Sequence, residues 1–155
     1  MPAPDQVGSE ERQDRRVRAH VYDRALTGGV VPRRTAAAEA LRLSEPAVAE
    51  SFHRLAQGRV LALDADSEIL MAPPFSAVPT GFLVESGGRP WWGNCIWDAL
   101  GILVMLGRDG RVVASCGDCG TGMTLEVAGG ALRPAEGVAH FAVPARRWWD
   151  DIVFT

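Results

Sequence analysis

The chain has 155 residues, 47% of them hydrophobic and 23% charged, with a formal net charge of -3. That make-up excludes a disordered chain, offers no basic excess for nucleic acid, and suffices for a small helical unit plus a compact α+β one. No apolar run approaches a membrane span and the first residues lack the apolar core of a secretory signal, so a cytoplasmic protein without membrane association is expected.

Residues 1–10 carry two prolines and no apolar period, and are read as a loose terminus. Over residues 11–26, Val17, Val21, Tyr22 and Leu26 recur at helical spacing among charges, and Gly28-Gly29 closes this first helix. Alanines and leucines at the same spacing predict a second helix over 34–43. Ser44 suits the N-cap, and Pro46 the first turn, of a third helix that reaches Gln57 and ends at Gly58. Residues 60–63 and 68–71 then read as the strands of a hairpin around Asp64-Ala65-Asp66-Ser67. Three helices and a hairpin give a winged-helix-like unit over residues 11–72.

Residues 72–80 hold Pro73, Pro74 and Pro79, which fit neither a helix nor a central strand, and 73–80 are assigned as a linker. The second unit, 81–155, opens with a strand at 81–84 and a turn at Gly87-Gly88. Asn94 is the expected N-cap of a helix in which Cys95, Ile96, Trp97, Ala99, Leu100, Ile102, Leu103 and Met105 leave almost no polar face. This predicts a buried helix with Cys95 in its first turn. Residues 111–115 and 123–127 form the arms of a hairpin whose tip is Cys116-Gly-Asp-Cys119-Gly120. After a turn at Gly129-Gly130, a strand is expected over 138–143, and Pro144 opens the closing segment. The expected fold class is α+β: a three-helix unit, then a small domain of one buried helix and antiparallel strands.

Three cysteines without a secretion signal point to free thiols or metal ligands. In the first turn of a helix, Cys95 would feel the positive end of the macrodipole and be pushed toward thiolate. Asp98 lies three residues on, shares its helix face, and is placed to take or relay a proton. The bland alternative is a small core cysteine with an acid that complements the dipole. Against it stands the cost of burying a carboxylate among Ile96, Trp97, Ala99 and Leu100 without a partner or a task.

Cys116 and Cys119 have the spacing of half a zinc knuckle. Only Cys95, His20, His53 and His140 remain to complete four ligands, so the pair suits a soft two-coordinate ion such as Hg(II) or Cu(I) better than zinc. Cys95, Cys116 and Cys119 are the candidate metal ligands. His140 reads as a hydrogen-bonded structural residue of its strand. The tryptophans at 91, 92, 97, 148 and 149 read as core, or as an aromatic lid over Cys95. All sixteen basic residues are arginine, which reads as a coding bias of the source organism. The helix-turn-helix of residues 33–58 would turn Glu45, Glu50, Ser51, His53 and Arg54 toward DNA, and its acids oppose approach to phosphates.

The segment 91–107, which opens Trp-Trp-Gly-Asn-Cys-Ile-Trp-Asp-Ala-Leu-Gly-Ile, resembles the alkylmercury (organomercurial) lyase family, whose members also begin with a winged-helix-like helical unit. The resemblance extends from about residue 33 to the end and implies a small α/β lyase-type domain, incomplete at its C-terminus. It implies that Cys95 and Asp98 are catalytic and that Cys116 is a structural cysteine of the family. The implied reaction is attack of the Cys95 thiolate on the mercury of a small R–Hg(II) compound. Asp98 passes a proton to the leaving carbon, and hydrocarbon and Hg(II) are released. No resident cofactor is implied, and external thiols or a mercury-reducing partner would accept the product.

The closing Trp-Trp-Asp-Asp-Ile-Val-Phe-Thr resembles the approach to the family's second catalytic cysteine, which these 155 residues do not contain. Three readings stay open: a native frame that continues past Thr155, substitution by Cys116 or Cys119, or a thiol-based soft-metal binding or sensing protein that does not cleave. A winged-helix transcription regulator is a further alternative.

Overall fold

The computed structural model describes residues 8–153 of the chain. Two compact units divide at Ala72 and Pro73.

In the first unit the three-to-four-residue apolar period of α1 (Ser9–Gly28) lines up Val17, Val21 and Ala25 on one buried stripe. The helix starts at Ser9, so residues 9 and 10 are helical where a loose terminus is expected, and residues 1–7 lie outside the described residues. α2 (Arg34–Leu41) stops two residues short of expectation. Arg42 turns left-handed at φ 55°, and its N–H folds back on the Ala38 and Glu39 carbonyls. α3 (Glu45–Gln57) begins as its sequence predicts, with the Ser44 side chain accepting from the Ala47 N–H and a proline in the first turn. Val48, Phe52 and Leu55 of α3 close the core with Leu61 and Ile69. β1 (Ala62–Leu63) and β2 (Ile69–Ala72) pair antiparallel. In the turn between them the Asp64 carboxylate accepts from the N–H groups of Asp66 and Glu68.

A polar strut ties α1 to α3. Ser51, fully buried, receives Gln13 Nε2 at 2.9 Å and Arg54 Nη2 at 3.2 Å. Arg54 grips Asp14 with two hydrogen bonds of 2.8 Å. Those bonds hold the Asp14 carboxyl below the usual carboxylate range, against the opposing effect of burial. Ser51 and Arg54, which the helix-turn-helix reading turns toward DNA, are thus engaged within their own unit.

The second unit is a five-stranded antiparallel sheet in the order β5-β4-β6-β7-β8, with α4 (Ile96–Leu106) packed on β4 and β6. The strands are β4 (Leu83–Ser86), β5 (Arg89–Trp92), β6 (Gly110–Ser115), β7 (Gly122–Ala128) and β8 (Ala131–Arg133). Alternation along β6 buries Val112 and Ala114 and exposes Arg111, Val113 and Ser115. Register places Trp91, Val84 and Val112 abreast across three strands. All three are buried, and α4 buries Ala99, Ile102 and Leu103. The chain is therefore an α+β protein, as its element order predicts, and none of the described helices is long and apolar enough to cross a membrane.

Several local features differ from expectation. β5 and β8 are sheet edges, where a short strand tolerates Pro90 and polar neighbours. Residues 138–143 form no strand: β8 already occupies the free edge of β7, and Val138 is 93% exposed. His140, exposed, therefore has no strand to support, and the chain runs on into a 3-10 helix (Ala145–Asp150). Residues 73–80, expected as a linker, contain β3 (Phe75–Ser76), with both residues buried. Phe75 bridges to Gly93. The helix expected to be buried all round is covered on one side only, since Trp97, Val104 and Met105 are 61%, 77% and 46% exposed. Apolar composition gives a helix no direction; the sheet covers only the face it touches.

Candidate active site

The start of α4 is fixed by Gly93. Its N–H donates to the Phe82 carbonyl at 3.0 Å and its own carbonyl accepts from Thr80 Oγ1 at 2.6 Å, which anchors the end of β5. A Cβ at position 93 would stand 2.7 Å from the Ala99 nitrogen and 2.8 Å from its Cα. Only the glycine hydrogen fits where the helix comes down on the strand.

Two residues later Cys95 is the N-cap, not a first-turn residue. Its backbone is extended at φ -147° and ψ 179°, and its carbonyl accepts from the Ala99 N–H at 2.9 Å. Its Sγ accepts from the Asp98 N–H at 3.4 Å, doing with sulfur what serine oxygen does at most helix starts. The cap expected at Asn94 thus falls one residue further on. Asn94 has a different task, because its Nδ2 donates to Asp98 Oδ2 at 2.9 Å. This is the partner that an acid in such an apolar run requires. Asp98 is therefore held twice, its carboxylate by Asn94 and its backbone N–H by Cys95.

Burial pushes the Cys95 thiol up, opposed by the hydrogen bond from the Asp98 N–H and reinforced by the Asp98 charge. The sequence expectation of a dipole-lowered thiol is overturned, since desolvation outweighs the partial charge of the helix end. Burial also raises Asp98, against the hydrogen bond from Asn94. Burial thus shifts both groups in the same direction, which sets a thiol that holds its proton more firmly beside a carboxylate that accepts one more readily. Trp97, in the same turn, lines a cleft of about 500 Å³ with Phe141, Val143, Pro144 and Trp148. The Phe141 and Trp148 rings lie 5.1 Å apart, and Trp148 Nε1 donates to the Val143 carbonyl at 2.8 Å. Of the expected aromatic lid, Trp97 and Trp148 share this cleft, while Trp91 is core.

Cys116 and Cys119 sit on the turn between β6 and β7. The Cys116 N–H donates to the Thr121 carbonyl and the Gly120 N–H to the Cys116 carbonyl, each at 2.9 Å. Gly120 supplies the left-handed φ of 72° that the turn needs. Cys119 Sγ and Thr121 Oγ1 are hydrogen-bonded at 3.2 Å. That bond first, with further hydrogen bonds from the Thr121 backbone and the Cys116 thiol, brings the exposed Cys119 thiol down to about 7. Among the described residues no three His, Cys, Asp or Glu side chains gather into a metal-holding group, so Cys95 is not joined with Cys116 and Cys119. Sequence reasoning missed the parts played by Gly93 and Thr80; the glycine directly before Asn94 and Cys95 was the available signal, and Thr80 gave none.

Site-resolved alkylation tests these opposite shifts. Cys119 is expected to react with iodoacetamide with a midpoint near pH 7, as its thiolate forms. Labelling of Cys95 should still be rising above the ordinary thiol range, and the reverse order in peptide mass spectra would contradict the geometry.

The profile of the alkylmercury lyase family matches residues 75–155, just over half of the chain. Among solved structures, the crystal structure of the mercury-bound form of MerB2 is similar with a TM-score of 0.60 at 20% identity, covering 83% of this chain and 60% of that one. At that identity the likeness is one of fold, and the chain spans about three-fifths of that structure's length. No curated protein matches.

Proposed function

Because the chain belongs to the alkylmercury lyase family, we propose that it cleaves the carbon–mercury bond of small organomercurials, with Cys95 as nucleophile and Asp98 as proton relay. The observation that carries this reading is the linkage at the start of α4. A half-buried thiol caps the helix through the Asp98 N–H, while the Asp98 carboxylate is held by Asn94.

In the first step the Cys95 sulfur bonds to mercury, the substrate's counter-ligand leaves as an anion, and the thiol proton passes to the Asp98 carboxylate. A protonated resting thiol is no obstacle, because a soft metal displaces a proton from sulfur. Asp98 then gives the proton to carbon as the carbon–mercury bond breaks. The electron pair of that bond forms the new C–H bond, and Hg(II) stays on Cys95 with its oxidation state unchanged. External thiols, or a mercury-reducing partner, remove the ion. The reading includes no resident cofactor. Residues 73–155 carry the reaction beside a winged-helix-like unit, and the reducing cytoplasm is the fitting compartment for chemistry that needs free thiols.

Anaerobic incubation with phenylmercury or methylmercury and excess thiol should release benzene or methane, followed by gas chromatography. A folded chain that releases neither sinks the proposal. Asp98→Asn should lower that rate by about a hundredfold or more, while the melting temperature at neutral pH holds or rises. A carboxyl whose folded pKa is raised stabilises the fold below its unfolded pKa and loses that contribution as pH rises through the folded value. At neutral pH the ionised Asp98 is therefore a burden that an amide removes, and unchanged activity in this variant would remove Asp98 from the relay.

A further inference from the structure

The proposed reaction uses Cys95 and leaves the other two thiols, Cys116 and Cys119, without a task. We propose that Cys116 and Cys119 form a separate site, a dithiol clamp for a soft cation of coordination number two, Hg(II) being the member of that class used to probe it. The two thiols stand three residues apart on one turn whose ends are tied by the hydrogen bonds from Cys116 to Thr121 and from Gly120 to Cys116. β6 and β7 hold that turn through an unbroken register from Gly110↔Val127 to Ser115↔Gly122, so little freedom is lost when an ion joins the sulfurs. Cys119 is exposed and Cys116 partly so, which leaves the pair open to solvent ions.

The decisive observation is what the turn lacks. No third His, Cys, Asp or Glu among the described residues joins the two sulfurs. A tetrahedral zinc ion would be left half-coordinated, whereas an ion content with two soft ligands is satisfied by the pair alone. The Thr121 hydroxyl beside Cys119 Sγ supplies the outer hydrogen bond that orients a bound thiolate. On binding, two sulfur–metal bonds form and two thiol protons go to solvent. No electron changes hands. The inference stands whether or not Cys95 breaks a carbon–metal bond.

The test uses the full reduced chain carrying Cys95→Ser, loaded with mercuric chloride and desalted under nitrogen against a competing monothiol. About one Hg(II) per chain should be retained through the chelate effect of two thiols on one turn. Retention should fall at least tenfold when Cys116→Ser or Cys119→Ser is added, and Zn(II) should wash out. Equal retention in either added variant, or Zn(II) held as firmly as Hg(II), overturns the proposal. A second readout needs no variant: in a digest of the mercury-loaded parent chain, the tryptic segment 112–146, which contains both cysteines and keeps the uncleaved Arg133-Pro134 bond, should carry the ion as an internal bridge. Mercury found only on the Cys95 segment would also overturn it. Hydrocarbon release is measured separately, so failure there leaves this inference standing and failure here leaves the lyase reading standing.

Discussion

Cys95→Ser is expected to cut hydrocarbon release from an organomercurial by at least about a thousandfold, the scale seen when a nucleophile is removed, with no loss of stability. The separation of the two effects follows from the role of Cys95 as the helix cap. Serine places an oxygen where sulfur now accepts the Asp98 N–H at 3.4 Å, and serine is among the best N-caps. Oxygen, however, is a poor ligand for a soft metal. Cys95→Ala loses sulfur and cap together and should cost about 0.5–2 kcal/mol of stability as well. Gas chromatography and thermal melting by circular dichroism read the two effects. A serine variant that keeps more than a tenth of the parent rate would remove Cys95 from the chemistry.

Gly93→Ala should damage stability and activity together, though residue 93 carries no reactive group. The added methyl would meet the Ala99 nitrogen at 2.7 Å and the Ala99 Cα at 2.8 Å. These are backbone atoms that cannot swing aside, so the first turn of α4 must lift from the end of β5. Overpacking of this kind costs about 1–3 kcal/mol. Moving the helix start also moves Cys95 and Asp98, and a displacement of about 1 Å at reacting groups can cost on the order of a hundredfold in rate. Gly101→Ala is the matched control on the same helix, since its methyl would meet only Pro74 Cβ at 3.9 Å. It should be neutral or raise the melting temperature through better helix propensity. Equal stability of the two variants would refute the close approach at Gly93.

The elements that the sequence predicts well are those whose local signals and tertiary packing agree. α3 has a serine cap, an early proline and an apolar stripe, and it forms where those signals place it. β6 shows its alternation and buries Val112 and Ala114 accordingly. The misses are sheet edges. β5 contains Pro90 and β8 is three residues long, so neither carries a period, and each exists because a neighbouring strand offers it hydrogen bonds. The stretch 138–143 shows the converse, an alternating pattern that pairs with no strand and leaves Val138 exposed. In the site, the identity and spacing of Cys95 and Asp98 were legible, and so was the demand of Asp98 for a partner. The sign of the Cys95 shift was not, because a sequence displays the dipole of a helix but not how much water reaches its first residue.

The distribution of chromophores turns the two shifted carboxyls into a readable signal. All five tryptophans lie between residues 91 and 149, whereas the single tyrosine is Tyr22. Asp14, held low by Arg54, stabilises the helical unit above the usual carboxylate range, and that contribution is lost as pH falls through its depressed value. Asp98, held high by burial, stops burdening the sheet unit as pH falls. Acid should therefore erode the far-ultraviolet helical signal, most of which comes from α1, α2 and α3, before indole emission shifts to the red. A titration in which ellipticity and emission move together would show that the two units do not answer acid separately.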